Sequence, residues 1–141
     1  MKILRLDELT PATVEGTRWL PIRSTLGVRA FGINAYAGSA GERLINEHDE
    51  TEDLAGLQRH EELYVVLRGG ATFTVDGEEI ELGPGDILFV DDPTSRRGAV
   101  ATLDETLVLA IGGPVGEAYR PAPWEALLLE RRTAGLGDAA R

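Results

Sequence analysis

Residues 62–90 carry the pattern that most limits what this chain can fold into. Four short runs rich in β-branched, aromatic and aliphatic residues are separated by turn signals. Glu62-Leu63-Tyr64-Val65-Val66-Leu67-Arg68 closes on Gly69-Gly70, and Ala71-Thr72-Phe73-Thr74-Val75 follows. Asp76-Gly77 then predicts a two-residue type I′ hairpin, because both central residues need φ > 0 and glycine adopts it without a Cβ clash. Glu78-Glu79-Ile80-Glu81-Leu82 returns, and Gly83-Pro84-Gly85-Asp86 marks a second tight turn with proline pre-setting φ. Ile87-Leu88-Phe89-Val90 is apolar throughout, and is expected to be buried on both faces or to lie at a sheet centre. No helix of ordinary length fits between these turns.

The same rhythm extends outward. Trp19 to Ile22, Gly27 to Ala37 and Glu42 to Glu47 read as strands, with Pro21 placing the first at an edge. Arg96 to Ala101 and Thr106 to Ile111 read as the last strands, ending at Gly112-Gly113-Pro114. A turn is expected at Asp7 to Thr10. Only the tail is helical in pattern, entered through Pro121-Ala122-Pro123-Trp124. With 17 glycines and seven prolines as punctuation, the expectation is an all-β sandwich or barrel. No repeat or linker is visible, so residues 1–141 are read as a single domain, with a barrel core at about 41–111 and a helical tail at 119–135.

Composition removes several classes of function. The absence of cysteine excludes a disulfide scaffold, a thiolate zinc site and a cysteine nucleophile. Fourteen basic against 24 acidic residues give a net charge of −10, which disfavours nucleic acid as a partner. No run of ~18 apolar residues predicts a membrane span, and the N-terminal residues lack a signal-like apolar stretch. The expected location is the cytoplasm.

Both histidines of the chain fall between residues 48 and 60, each two positions before a glutamate. Residues i and i+2 of a strand share a face. His48 with Glu50, and His60 with Glu62, therefore bring two imidazoles and two carboxylates within reach of one pocket. Nitrogen and oxygen donors without sulfur suit Mn, Fe, Ni or Zn. The bland alternative is equally open: both histidines lie in polar, acidic surroundings, and a one-residue slip across 51–59 would turn them outward. Of Arg96 and Arg97, only one can point inward. Asn34 and Tyr36 alternate with Ile33 and Ala35, and Tyr64 shares a face with Glu62, so these three are candidate pocket residues.

Glu62 to Gly69, Val75 to Glu78 and Gly83 to Val90 resemble the central segment of the cupins, as does the turn Asp92-Pro93-Thr94-Ser95 before Arg96. The resemblance runs from Gly41 to Ile111 and implies a double-stranded β-helix, or jelly-roll barrel, with an N-terminal strand extension and a short C-terminal helix. It also implies a metal site at the barrel mouth, from which this chain departs. His48-Asp49-Glu50 stands where a His-x-His pair is expected, and Thr51 to Arg59 is an insertion. Glu62 occupies the motif glutamate. Arg96 occupies the position of the last histidine, so the resemblance points Arg96 inward and leaves Arg97 in solvent. The expected function is a small-molecule-binding cupin with a remodelled, metal-free pocket, in which Arg96 holds an anionic organic ligand beside Glu62, Tyr64, Tyr36 and Asn34. The alternative is a metal-dependent dioxygenase, isomerase or cyclase using His48, Glu50, His60 and Glu62. A homodimer is expected, with the apolar stretch Trp19 to Ala37 as its physical support.

Overall fold

A computed structural model describes residues 1–51 and 58–133. A 3-10 turn at Leu6–Glu8 precedes β1 (Ala12–Val14) and β2 (Thr17–Leu20). Helix α1 (Ile22–Leu26) separates these from β3 (Gly32–Gly38) and β4 (Arg43–His48). Then come β5 (Glu61–Arg68), β6 (Ala71–Val75), β7 (Glu78–Leu82), β8 (Ile87–Val90), β9 (Arg97–Ala101) and β10 (Thr106–Gly113). Helix α2 (Pro123–Thr133) ends the described chain. The last two residues of the tail expected at 119–135, and residues 52–57 of the expected insertion at 51–59, lie outside the described residues.

The strands form a six-stranded sheet, ordered β1-β2-β3-β10-β5-β8, and a four-stranded sheet, ordered β4-β9-β6-β7. All strand pairings among the described residues are antiparallel. The architecture is the double-stranded β-helix expected from the sequence. Alternation along each strand sends one set of side chains between the sheets. There Leu44, Tyr64, Val66, Ala71, Phe73, Val90, Ala99, Ala101 and Val108 form the main core, with Tyr36 and Leu88 packed against it. A second cluster lies on the opposite face of β3 and β10. Leu20, Ile22, Ala35 and Leu107 pack there with Leu4, Leu6, Leu9 and Leu26, so the N-terminal segment covers part of the larger sheet's outer side.

The Asp76-Gly77 turn has φ of 49° and 84°, as a type I′ hairpin demands. Three local expectations need correction. The strands expected at Trp19 to Ile22 and Gly27 to Ala37 are displaced, β2 ending at Leu20 and β3 starting at Gly32, with α1 between them closed by Gly27 in the left-handed conformation at φ 76°. Trp19 is fully buried within the chain itself, against Trp124 of α2 at a ring separation of 5.3 Å. Its apolar character therefore serves this packing and gives no support to a dimer. Finally, β8 is an edge strand, with Ile87 63% and Phe89 51% exposed. Its inward residues, Leu88 and Val90, meet the core; its outward ones have no described cover.

Candidate functional site

Along the inward face of β5 the side chains change from apolar to charged in three steps: Val66, Tyr64, Glu62. Across the sheet these pair with Val108, Ala110 and Gly112 of β10. On the facing sheet, β9 shows the same progression through Ala101, Ala99 and Arg97, paired with Ala71, Phe73 and Val75 of β6. His48, the last residue of β4, is opposite Arg97. One end of the barrel interior is thus apolar, and the other carries ionisable groups.

Glycine makes the room. A Cβ built at Gly112 would lie 2.8 Å from Cγ of Glu62 and 2.8 Å from the Glu61 carbonyl oxygen. The absent side chain on β10 is what lets the Glu62 carboxylate occupy the space beside it.

Five residues meet there: His48, Glu50, Glu62, Tyr64 and Arg97. His48 Nδ1 donates to the Asn46 carbonyl at 2.8 Å, which aims Nε2 at Glu50 Oε1, 3.0 Å away. Tyr64 donates its hydroxyl proton to Glu62 Oε1 at 2.5 Å. The remaining contacts are longer: His48 Nε2 to Glu62 Oε1 is 3.8 Å, and Arg97 Nη1 lies 3.7 Å from Glu62 Oε1 and 3.9 Å from Glu50 Oε1. These are ion pairs without direct hydrogen bonds. Arg97 is fully buried, and its Nη2 donates to the Asp92 carbonyl at 3.3 Å, while Nε and Nη1 have no hydrogen-bond partner among the described residues. His60 stands beside the cluster, with Nδ1 3.8 Å from Glu50 Oε2 and a buried, unpartnered Nε2.

The electrostatics follow from burial and these contacts. Burial pulls His48 towards its neutral form, but the hydrogen bonds to Glu50 and the Asn46 carbonyl, with the nearby Glu62 carboxylate, outweigh it and hold the imidazole up to about 10. Burial pushes Glu50 above the ordinary carboxylate range, against the opposing hydrogen bond from His48. Burial acts on Glu62 in the same sense, yet the neighbouring His48 and Glu50 and the hydrogen bond from Tyr64 carry it below that range. His60 is lowered, chiefly by burial. Two cations, His48 and Arg97, therefore face one firmly ionised carboxylate and a second that takes up a proton readily. Burial, then the charges of Glu62 and Glu50, raise Tyr36, which stays a neutral hydroxyl.

The two arginines are placed opposite to expectation. Arg96 is about half exposed, and its Nε donates to Glu47 Oε1 at 3.0 Å on the outer surface. Its amide donates to Asp76 Oδ1, and its carbonyl accepts from the Asp76 amide, both at 2.8 Å. These bonds tie Arg96 to the β6–β7 turn. The pairing of β9 with β6 then sends Arg97, Ala99 and Ala101 inward. Asn34 shares a face of β3 with Tyr36, and its Oδ1 accepts from the Arg23 amide of α1 at 3.5 Å. Tyr36, Tyr64, Glu62, His48 and Glu50 do converge.

Gln58 and Tyr119 escaped the sequence reading. The Gln58 side chain donates to the Ala118 carbonyl at 2.7 Å and accepts from the Arg120 amide at 2.6 Å. This clamp holds the segment after β10 so that the Tyr119 ring sits 5.6 Å from the His60 ring. The far end of the segment is anchored by the buried pair Arg23–Glu125 at 3.0 Å. No sequence pattern marks such a long-range clamp.

His48, Glu50 and Glu62 each offer a donor atom, all within 4.8 Å of one another, and so could hold a metal ion. Their types suit Mn, Fe, Ni or Zn. The surroundings do not fit a dication. The carboxylate oxygens facing the centre, Glu50 Oε1 and Glu62 Oε1, are the ones nearest to the Arg97 guanidinium, which keeps its charge at any ordinary pH. His48 would also have to release the proton that Glu50 and Glu62 stabilise.

Residues 47–112 match the Cupin domain family. No curated protein matches the chain significantly in sequence. Among solved structures, KdgF from a Halomonas species superposes with a TM-score of 0.64 at 18% identity, covering 88% of this chain and 98% of that one. A sugar phosphate isomerase from a cupin superfamily, from Silicibacter pomeroyi, gives 0.63 at 18% identity, covering 85% and 76%. A predicted oxalate decarboxylase from Thermotoga maritima gives 0.61 at 17% identity, covering 79% and 97%. Identities this low carry the fold and leave the chemistry to the site. The strand order, the match of residues 47–112 to the Cupin domain family and these superpositions agree on one fold, the cupin-type double-stranded β-helix.

Proposed function

We propose that the protein binds a small anionic organic molecule at the charged end of the barrel, through side chains and without a resident metal. The observation that carries this reading is Arg97. It is fully buried, yet two of its three guanidinium nitrogens have no hydrogen-bond partner among the described residues. Buried polar groups in native proteins are nearly always satisfied, and a guanidinium is well suited to a carboxylate. With Glu50 protonated, His48 and Arg97 against Glu62 leave capacity for one added negative charge. Arg97 thus takes the role expected of Arg96, with Tyr36, Tyr64 and Glu62 beside it. The structural neighbours described as sugar phosphate isomerase and oxalate decarboxylase favour a small-molecule site in general terms.

The test is calorimetric titration with oxalate, malonate, citrate and inorganic phosphate. At least one carboxylate is expected to bind, with affinity reduced ~10-fold or more in Arg97→Met and unchanged in Arg96→Met. Equal effects of the two substitutions, or no binding by any probe, would sink the proposal.

A second reading, a metal-dependent enzyme of the dioxygenase, isomerase or cyclase type, is favoured by the three converging donors and opposed by Arg97. We also propose a homodimer, built on the outer face of β5 and β8, where Leu67, Ile87 and Phe89 are exposed. Light scattering of Ile87→Glu, monomeric where the parent is dimeric, would bear this out; a monomeric parent would remove it.

A further inference from the structure

We infer that Arg97 is a built-in cation standing in the place of a divalent metal ion: with it the cluster rejects dications, and without it His48, Glu50 and Glu62 form a metal site. The inference concerns the charge of the site itself and needs no ligand, so it goes beyond the binding reading.

Three observations carry it. First, the donors are already assembled, with an imidazole nitrogen and two carboxylate oxygens within 4.8 Å of one another. Secondly, Arg97 presents Nη1 to those same two oxygens at 3.7 and 3.9 Å. A charge at that distance neutralises both carboxylates in the way a bound cation would, while leaving them without a hydrogen bond from it. Thirdly, the guanidinium has nowhere to go. It is fully buried, starts β9 opposite His48 and Val75, and is tethered to the Asp92 carbonyl. A surface arginine could swing aside for an incoming ion; this one cannot without opening the barrel.

The hydrogen-bond pattern makes the inference testable by substitution. Only the bond from Nη2 to Asp92 is lost when the guanidinium is removed, since Nε and Nη1 have no partner among the described residues. Two of the three donors keep their own positioning contacts, His48 to the Asn46 carbonyl and Glu62 from the Tyr64 hydroxyl. His48 is a third exposed, which leaves an entry for the ion.

Chelator-stripped wild type, Arg97→Ala and Arg97→His would be titrated with zinc and manganese by calorimetry. Binding of Co(II) would be followed in parallel by its visible absorption, which reports coordination directly. Both variants are expected to bind zinc ~100-fold more tightly than wild type, from the repulsion removed. Adding Glu50→Gln to Arg97→His should reverse most of that gain. Arg97→Gln replaces any variant that circular dichroism shows to be unfolded. Wild type binding one equivalent of zinc as tightly as the variants would overturn the inference. So would variants that bind no better than wild type, because Arg97 would then not be what excludes the ion. The anion titrations read Arg97 as a ligand contact and these read it as a charge, so either proposal can fail while the other stands.

Discussion

The two ends of the barrel interior are built on the same strands and obey different rules. At one end Val66, Ala71, Phe73, Ala101 and Val108 exclude water and each other's voids. At the other, most contacts among Glu62, Arg97, His48 and Glu50 are ion pairs at 3.7–3.9 Å, and the one close hydrogen bond given among the described residues of this set joins His48 to Glu50. Close packing at the first end fixes the geometry of the second, because the inward residues of β5 and β9 differ only by position along the strand. Stability is concentrated where shape is matched, and chemistry where it is left loose.

The largest expected effect is at the apolar end. Phe73→Ala removes a fully buried ring in contact with Tyr64 and should cost about 4 kcal/mol, read by urea denaturation. A cost under about 1 kcal/mol would mean that the two ends are not mechanically distinct.

Next comes Arg97→Met, which leaves two facing carboxylates without their buried cation. It should cost about 3 kcal/mol at about pH 8, and less at about pH 5, where Glu50, raised by burial, is protonated. A loss independent of pH would assign Arg97 a packing role only.

The pH profile of the wild type comes third. His48 has its folded value raised from 6.5 to about 10, so its contribution is full below 6.5 and is lost as pH rises through about 10. Glu50, also raised, loses its contribution as pH rises above 4.5, in the same direction. Glu62 is lowered, so its contribution is present above 4.5 and falls away as pH drops through its folded value. Thermal melts should therefore peak between 4.5 and 6.5, and His48→Gln should flatten the alkaline limb. A wild-type optimum above about pH 8 would contradict these signs.

Two smaller effects close the series. Gln58→Ala should cost about 1–2 kcal/mol for its two hydrogen bonds. It should also speed carbethoxylation of His60 by diethylpyrocarbonate several-fold, read by peptide mass, leaving His48 unchanged. An unchanged His60 rate would show that the clamped segment does not cover it. Arg96→Ala, at the surface, should shift stability by no more than about 0.5 kcal/mol.

The fold was largely legible because turn chemistry and strand alternation are local: Asp76-Gly77 and the Gly83–Asp86 turn announce themselves. The site was legible in its residue types and less so in its directions. His48, Glu50 and Glu62 were found through the i, i+2 rule. Arg96 was chosen over Arg97 by counting from a turn, whereas the inward residue is set by the pairing of β9 with β6 and by the bonds of Arg96 to Asp76. Ile87 and Phe89 read as interior because an apolar run looks the same at a sheet centre and at an edge. Gln58 and Tyr119 are 61 residues apart in the chain and joined only by a side-chain clamp, which no local pattern encodes.

Gly112 offers a way to move one carboxylate without touching its charge. A methyl group there would press on Cγ of Glu62 and on the Glu61 carbonyl, each 2.8 Å away. Gly112→Ala is a steric edit: every ionisable group keeps its identity while the distance between Glu62 and Arg97 changes. A charge-deletion variant alters field and shape together, whereas this one alters shape alone. The hydrogen atom borne by residue 112 in place of a side chain is in that sense a component of the site, and one that an inventory of functional groups would pass over.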